Sequence, residues 1–304
     1  MHLVKLFRFL SRERSAVLGF TAAGLLCACL PCVAKVPLRA ERVDRYEVID
    51  SAEGARRLAA FRSLRLHGDY CFQFQLEQKP RRGKTIRYAG VMYGSWNERG
   101  PVSRFVLYPQ PLGTDAREAQ PPFELIVQNG AAPEVWLRRQ ADAPFLRIDD
   151  SALFEPVFEG VLYTPFDLQM PFVFWQDHVY EGPGRVSTRI GQHFLMKPAA
   201  GTLADQHGIT AVRIALDDAY YALLKAEVLG EGGALRSSFT AGRLKKIQGQ
   251  WIVRQVSLKD AQTRDATDFV VKAASVGLVF DAALFDPQGG QPLPEIAPAL
   301  FDVL

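Results

Sequence analysis

Few residues in this chain combine the type and the spacing that chemistry requires. Two carboxylate pairs, Asp149-Asp150 and Asp217-Asp218, come first, because adjacent acids can share a proton or hold a cation. Each pair lies beside an expected strand end, where Asp favours turns by bonding its own backbone, and the turn reading is preferred. The five histidines (His2, His67, His178, His193 and His207) are scattered, with no pair at metal-ligand spacing. Cys29-Leu-Pro-Cys32 has the CxxC spacing of a redox pair, but it sits in an apolar run rather than at an accessible helix start. The sequence contains no GxSxG, Walker A, HExxH or GxGxxG pattern. On this reading the protein has no catalytic group, no metal and no cofactor.

What is concentrated is aromatic side chain: 20 Phe, 9 Tyr and 4 Trp, densest in the stretches Tyr70–Phe74 and Phe154–Trp175. For any single ring the ordinary role is core packing. Taken together, rings on one face of a sheet under a thin cover make an apolar cavity suited to acyl chains. Each buried CH₂ contributes about 0.8 kcal/mol, so such a site needs no catalytic group.

The elements that position these rings follow from periodicity. Ser51–Ser63 has near-helical spacing of Ala55, Leu58, Ala59 and Phe61, with Ser51 as the expected cap. The period then changes to two: Tyr70, Phe72, Phe74 and Leu76 alternate with polar neighbours, a half-buried strand. Pro80–Gly83 is a turn into a second strand over 85–96. Short strands follow at 104–108, 123–128 and 135–139. Others follow at 185–196, 209–216, 220–229, 237–247, 251–259 and 267–274, with hairpin signals at Gly230–Gly233 and Gln248-Gly249. Residues 151–177 break the rhythm: large apolar groups are interrupted by Pro156, Gly160, Pro165 and Pro171, which predicts short helical turns lying across a sheet. Residues 282–285 read as one more helical turn. The expected fold is mainly β (α+β), a strongly curved antiparallel sheet of about eleven strands forming an incomplete barrel with a short helical lid.

The chain has 304 residues, a formal net charge of +3, 48% hydrophobic and 23% charged residues, which is ordinary for a globular protein. Lys5, Arg8, Arg12 and Arg14 against Glu13 account for the whole excess, so the remainder is neutral and nucleic acid is not an expected partner. The apolar run Ser15–Ala34 behind this basic flank reads as an export signal over 1–34. Cleavage after Ala34 is one reading. The other takes Leu26-Cys27-Ala28-Cys29 as an imperfect lipobox with a lipidated Cys29; Cys27 is an unusual residue for that position. A third, an uncleaved anchor, is disfavoured by Pro31 and the small residues. The mature chain then keeps only Cys71 and has no intramolecular disulfide. Residues 35–286 form one domain, and 287–304 a Pro-rich tail over its surface.

The C-terminal third carries a recognisable order: Leu216–Tyr221, then Leu223, Lys225 and Glu227, then Gly249-Gln-Trp251, Ser257–Asp260, Thr263 and Phe285. With Leu162–Leu168 ahead of it, this pattern resembles the outer-membrane lipoprotein-sorting proteins, the LolA-like group with its LolB-like and RseB-like relatives, loosely over 70–290. The resemblance implies a half-open barrel with a helical lid and a hydrophobic cavity. It also implies a periplasmic, monomeric binding protein for the acyl chains of lipoproteins or lipids, with other envelope lipoprotein-transport proteins as further partners. The candidate cavity residues are Tyr70, Phe72, Phe74, Leu76, Tyr88, Met92, Phe123, Leu125 and Val127 on strands. Phe158, Phe166, Phe172 and Trp175 are candidates on the lid. The alternative within the same fold is an envelope sensor or scaffold; an exported hydrolase is a more distant one.

Overall fold

The computed structural model describes residues 48–115, 120–289 and 291–304. The expected export signal over 1–34 with Cys29, and the three readings of its processing, lie outside the described residues. Arg45–Leu304 forms one compact unit.

Helix α1 (Ser51–Arg62) opens the unit. Its cap is Asp50 rather than Ser51: the Asp50 carboxylate accepts from Glu53 N at 2.7 Å, and Ser51 is the first helical residue. Sixteen strands follow among the described residues. Those that frame the site are β1 (Asp69–Lys79), β2 (Ile86–Asn97), β3 (Gly100–Pro111), β4 (Phe123–Gln128), β5 (Glu134–Arg138) and β6 (Leu146–Arg147). After the lid come β7 (His178–Val186), β8 (Arg189–Met196), β9 (Ala211–Asp217), β10 (Leu223–Leu229) and β11 (Leu235–Ala241). Then come β12 (Leu244–Ile247), β13 (Gln250–Val253), β14 (Gln255–Asp260), β15 (Ala266–Leu278) and β16 (Asp302–Val303).

One sheet runs β6-β5-β4-β3-β2-β1-β15-β14-β11-β10-β9-β8-β7, with β16 added on β15, while β12 and β13 pair only with each other. Every pairing is antiparallel. A flat sheet of that path would be roughly 55–60 Å wide at 4.8 Å per strand. Yet Val135 on β5 and Phe194 on β8, near opposite ends, belong to one core. The sheet is therefore strongly curved, and it is not closed, since β6 and β7 are free edges.

The strand count exceeds eleven because three expected strands are each divided and because the two-residue strands β6 and β16 are added. Ser187, at φ 55°, turns the chain inside 185–196 and separates β7 from β8, a turn without Gly or Pro to announce it. Likewise 237–247 and 251–259 each bend, giving β11–β12 and β13–β14. The Gln248-Gly249 hairpin is as expected, with both residues at positive φ (46° and 85°) in the manner of a type I′ turn.

Close ring-to-backbone approach sets the small residues of β2. Gly90 pairs with Phe74, and a Cβ there would come within 2.2 Å of the Phe74 ring. Gly94 stands in the same relation to Tyr70, at 2.0 Å.

The outer face of β1–β5 is covered too. Residues 282–301 lay Leu284, Phe285, Leu293, Ile296 and Phe301 over Cys71, Tyr93, Val106 and Ile126. Beneath them Arg104, 2% exposed, donates from Nε to Glu124 at 2.8 Å and from Nη1 to the carbonyls of Leu284 and Gln291 at 3.0 and 3.1 Å. Arg138 donates to the other oxygen of Glu124 at 2.7 Å. The C-terminal segment is thus latched onto the sheet by charge-assisted bonds. Burial pushes the Cys71 thiol up to about 12, which makes it unreactive.

Candidate functional site

The site is the concave face and the segment that crosses it. Between β6 and β7 the chain forms a 3₁₀ turn (Asp150–Phe154), helix α2 (Pro165–Gln169) and a second 3₁₀ turn (Pro171–Phe174). These are the short helical turns that the broken apolar pattern predicts. Pro165 stands at the first helical position, where its missing N–H costs nothing, and Thr164 with Asp167 closes a reciprocal capping box. Met170 takes a left-handed conformation (φ 43°) and Pro171 prevents continuation.

Four polar ties hold this lid to the sheet and to α1. Leu162 N donates to Thr267 Oγ1 at 3.0 Å, and Tyr163 Oη to the Val256 carbonyl at 3.2 Å. Asn129 Nδ2 donates to the Leu168 and Gln169 carbonyls (3.2 and 2.6 Å), which the end of α2 leaves without helical partners. Arg62, in the last turn of α1, donates from Nε to the Val173 carbonyl and from Nη2 to the Trp175 carbonyl, both at 2.7 Å. Sequence reasoning missed Arg62 and Asn129, since their partners are backbone carbonyls more than a hundred and about forty residues away.

Under the lid, Phe74, Leu76, Tyr88, Phe123, Leu125, Val127, Phe166 and Phe172 share one buried core, with Met92, Phe158 and Trp175 packed against it. Tyr88 meets Phe158 edge-on at 4.9 Å, and Phe123 meets the same ring at 5.9 Å. Phe172 lies 6.2 Å from Phe166 and 6.4 Å from Trp175. Lid rings therefore occupy the centre of the concave face. Open space lies at its margin, in a pocket of about 440 Å³ lined by Leu125, Leu137, Ile148, Val157 and Pro165 together with Arg139, Arg147, Asp149 and Glu155. Tyr70 and Phe72 are placed apart from the others. Phe72 belongs to a separate cluster with Ile247, Ile252 and Val271, against which Tyr70 packs. Both rings line a different pocket, of about 610 Å³.

Of the two carboxylate pairs, Asp217-Asp218 is engaged in the fold, while Asp149 precedes the first 3₁₀ turn of the lid without a side-chain cap bond. Asp217 Oδ1 accepts from Ala219 N and Tyr220 N at 3.0 and 2.9 Å, the turn expected of it. Asp218 pairs with Arg57 and Gln192 and fastens α1 to the turn after β9. Among the described residues no three His, Cys, Asp or Glu side chains converge as metal ligands. No described helix is long and apolar enough to cross a membrane.

Asp167 is the one strongly perturbed carboxyl in the lid. Burial pushes it up to about 6, against the lowering effect of hydrogen bonds from Thr164 N and Oγ1 at 2.9 and 2.8 Å. A carboxyl raised in the fold binds its proton more tightly than in the unfolded chain. That stabilisation is present at low pH and is lost as pH rises from about 4 through about 6. Urea unfolding between pH 4 and 7.5 is expected to show a decline of up to about 3 kcal/mol from this group. Asp167→Asn is expected to flatten the decline.

The fold is similar to that of solved structures. The putative outer membrane lipoprotein-sorting protein domain from Vibrio parahaemolyticus superposes with a TM-score of 0.63 at 16% identity, over 77% of this chain and 95% of that one. A DUF1329 family protein from Desulfovibrio piger gives 0.64 at 15% identity, over 79% and 98%. A LolA superfamily protein from Nitrosomonas europaea gives 0.56 at 11% identity, over 76% and 96%. At these identities the likeness is one of fold. No family model and no curated protein matches the chain.

Proposed function

We propose that this is a non-catalytic binding protein for acyl chains, a carrier or acceptor in outer-membrane lipoprotein sorting, working as a monomer in the periplasm. The observation that supports it most is the clasped apolar lid: rings from 158–175 lie on a ring-lined concave face, and Arg62 holds them through two carbonyls. A lid whose polar ties are a few hydrogen bonds, from Arg62, Asn129, Leu162 and Tyr163, can be released without unfolding the sheet, and the rings it lifts away leave apolar surface for a chain to cover. The LolA-superfamily and lipoprotein-sorting likenesses of the fold agree with this reading. The cavity residues are those under the lid, with the pocket beside Leu125 as the point of entry. Tyr70 and Phe72 would contribute at the far end of the face. Export follows from the basic-apolar segment 1–34. The mass of the mature N-terminus distinguishes a soluble carrier beginning at Lys35 from a protein tethered through an acylated Cys29.

Arg62→Leu tests the clasp. Stopped-flow uptake of an apolar fluorescent probe is expected to be at least tenfold faster in the variant, with a loss of about 1–3 kcal/mol in stability. Unchanged uptake would mean that the lid does not gate the face. The filled centre of the core favours a second reading, an envelope sensor or scaffold with the same fold. Under that reading neither protein takes up probe.

A further inference from the structure

The ribbon β12–β13 takes no part in the lid, and its two faces differ in character. Ile247 and Ile252 are buried on Phe72, Val271, Ala274 and Val276. Cross-strand partners share a face, so Lys246 with Trp251 and Leu244 with Val253 lie on the opposite one. Trp251 is 55% exposed there, a large apolar ring left in water. From Gly242 to Lys259 the chain carries Arg243, Lys245, Lys246, Arg254 and Lys259 and no Asp or Glu. Arg243, Lys245 and Lys246 are exposed. Among the described residues none of these three enters an ion pair.

The ribbon is also fixed in place. The Gln250 side chain accepts from His67 N at 2.6 Å and donates to the His67 carbonyl at 3.1 Å, clasping the ribbon to the loop between α1 and β1. That loop presents Leu64, 48% exposed, and the exposed Arg65. Leu64 and Trp251 line the same pocket of about 610 Å³. Asp69 is the carboxylate in that lining, and its oxygens are engaged by Ser95 Oγ and Phe280 N. The result is an apolar centre with a surplus of unpaired cations on a body, residues 15–304, whose net charge is zero.

We infer that this surface docks the protein on an anionic lipid bilayer. Trp251 and Leu64 enter the headgroup layer, Lys246 beside Trp251 and Arg65 beside Leu64 face the lipid phosphates, and the exposed Arg243 and Lys245, the latter on the Ile252 face of the ribbon, add to its positive potential. An indole suits the interface because its ring is apolar and its N–H can remain hydrated. Cations near an anionic surface each add several-fold to partition. A sulfated polysaccharide would meet the same charges but has no apolar layer in which to bury the exposed indole. The inference goes beyond acyl-chain binding and does not depend on what lies under the lid.

The test uses Arg45–Leu304, the compact unit that contains all three cores, in sedimentation with vesicles of phosphatidylglycerol and phosphatidylethanolamine or of phosphatidylcholine alone. The expected result is preferential binding to the anionic vesicles, weakened by 0.5 M salt. Partition is expected to drop at least tenfold in Lys245→Glu/Lys246→Glu and also in Trp251→Ser, each with an unchanged melting temperature. In wild-type protein, the part of the emission that Trp251→Phe removes is expected to shift to the blue on binding, a readout that does not rely on charge-reversed variants folding. Equal binding to neutral vesicles, retention by the variants, or binding to heparin that ignores Trp251→Ser and outcompetes vesicles would overturn the assignment.

Discussion

Replacing Glu124 with alanine is expected to destabilise the protein by roughly 3–5 kcal/mol. The carboxylate receives Arg104 at 2.8 Å and Arg138 at 2.7 Å, on the outer face of β4 and beneath the C-terminal segment. Its removal leaves two buried guanidinium groups without their counter-ion, both over the same Phe145 ring at 5.5 and 4.5 Å from its centroid. Since Arg104 also holds the carbonyls of Leu284 and Gln291, the latch on residues 282–301 should loosen with it. Urea unfolding measures the first effect. Hydrogen exchange measures the second: amides of the C-terminal segment should lose protection first, ahead of β1 and β15. A companion change of Arg104 and Arg138 to methionine, removing the charges together with Glu124→Leu, is expected to recover most of the lost stability.

Phe172→Ala is the second large effect, and it bears on function as well as on stability. Phe172 is fully buried in the second 3₁₀ turn of the lid, between Phe166 and Trp175. Truncating a buried ring costs about 3–5 kcal/mol through lost burial and the cavity left behind. If the ring stands where an acyl chain would lie, the vacated space is open to an apolar ligand, and part of the loss is returned on binding. The variant is therefore expected to melt lower than wild type, yet to bind an apolar probe at least as tightly and to regain stability on adding it. A lid that only completes a core would give the lower melt without the regained stability.

How much of this was legible in the sequence depends on whether a residue's partner is near or far. Leu224, Ala226 and Val228 alternate with Leu223, Lys225 and Glu227, and their burial alternates accordingly on β10. The segment from Phe154 to Trp175 declared itself through prolines among large apolar groups. Turns made by Gly or Pro were visible; the turn at Ser187 was not, because a left-handed non-glycine residue leaves little compositional trace. In β4, Phe123, Leu125 and Val127 alternate with Glu124, Ile126 and Gln128, yet every residue of that strand is buried. The missing information was the C-terminal segment, whose prolines disguise the apolar contacts of Leu293, Ile296 and Phe301. Arg62 was invisible for a related reason. Its role depends on carbonyls, which carry no sequence signal, at the far end of a long loop closure. In the candidate site, most of the expected rings fall into one core, because period-two spacing places strand residues on one face. Phe72 shares that parity with Phe74, yet the register slips between Gln73 and Phe74 against β15, and Phe72 belongs to the neighbouring cluster.

If an acyl chain lies between the lid and the concave face, native mass spectrometry of the protein purified without detergent from the cell envelope is expected to find a fraction of molecules carrying a bound acyl-bearing species, released when an apolar probe is added. Protein that carries no lipid and neither binds nor exchanges the probe would contradict that placement.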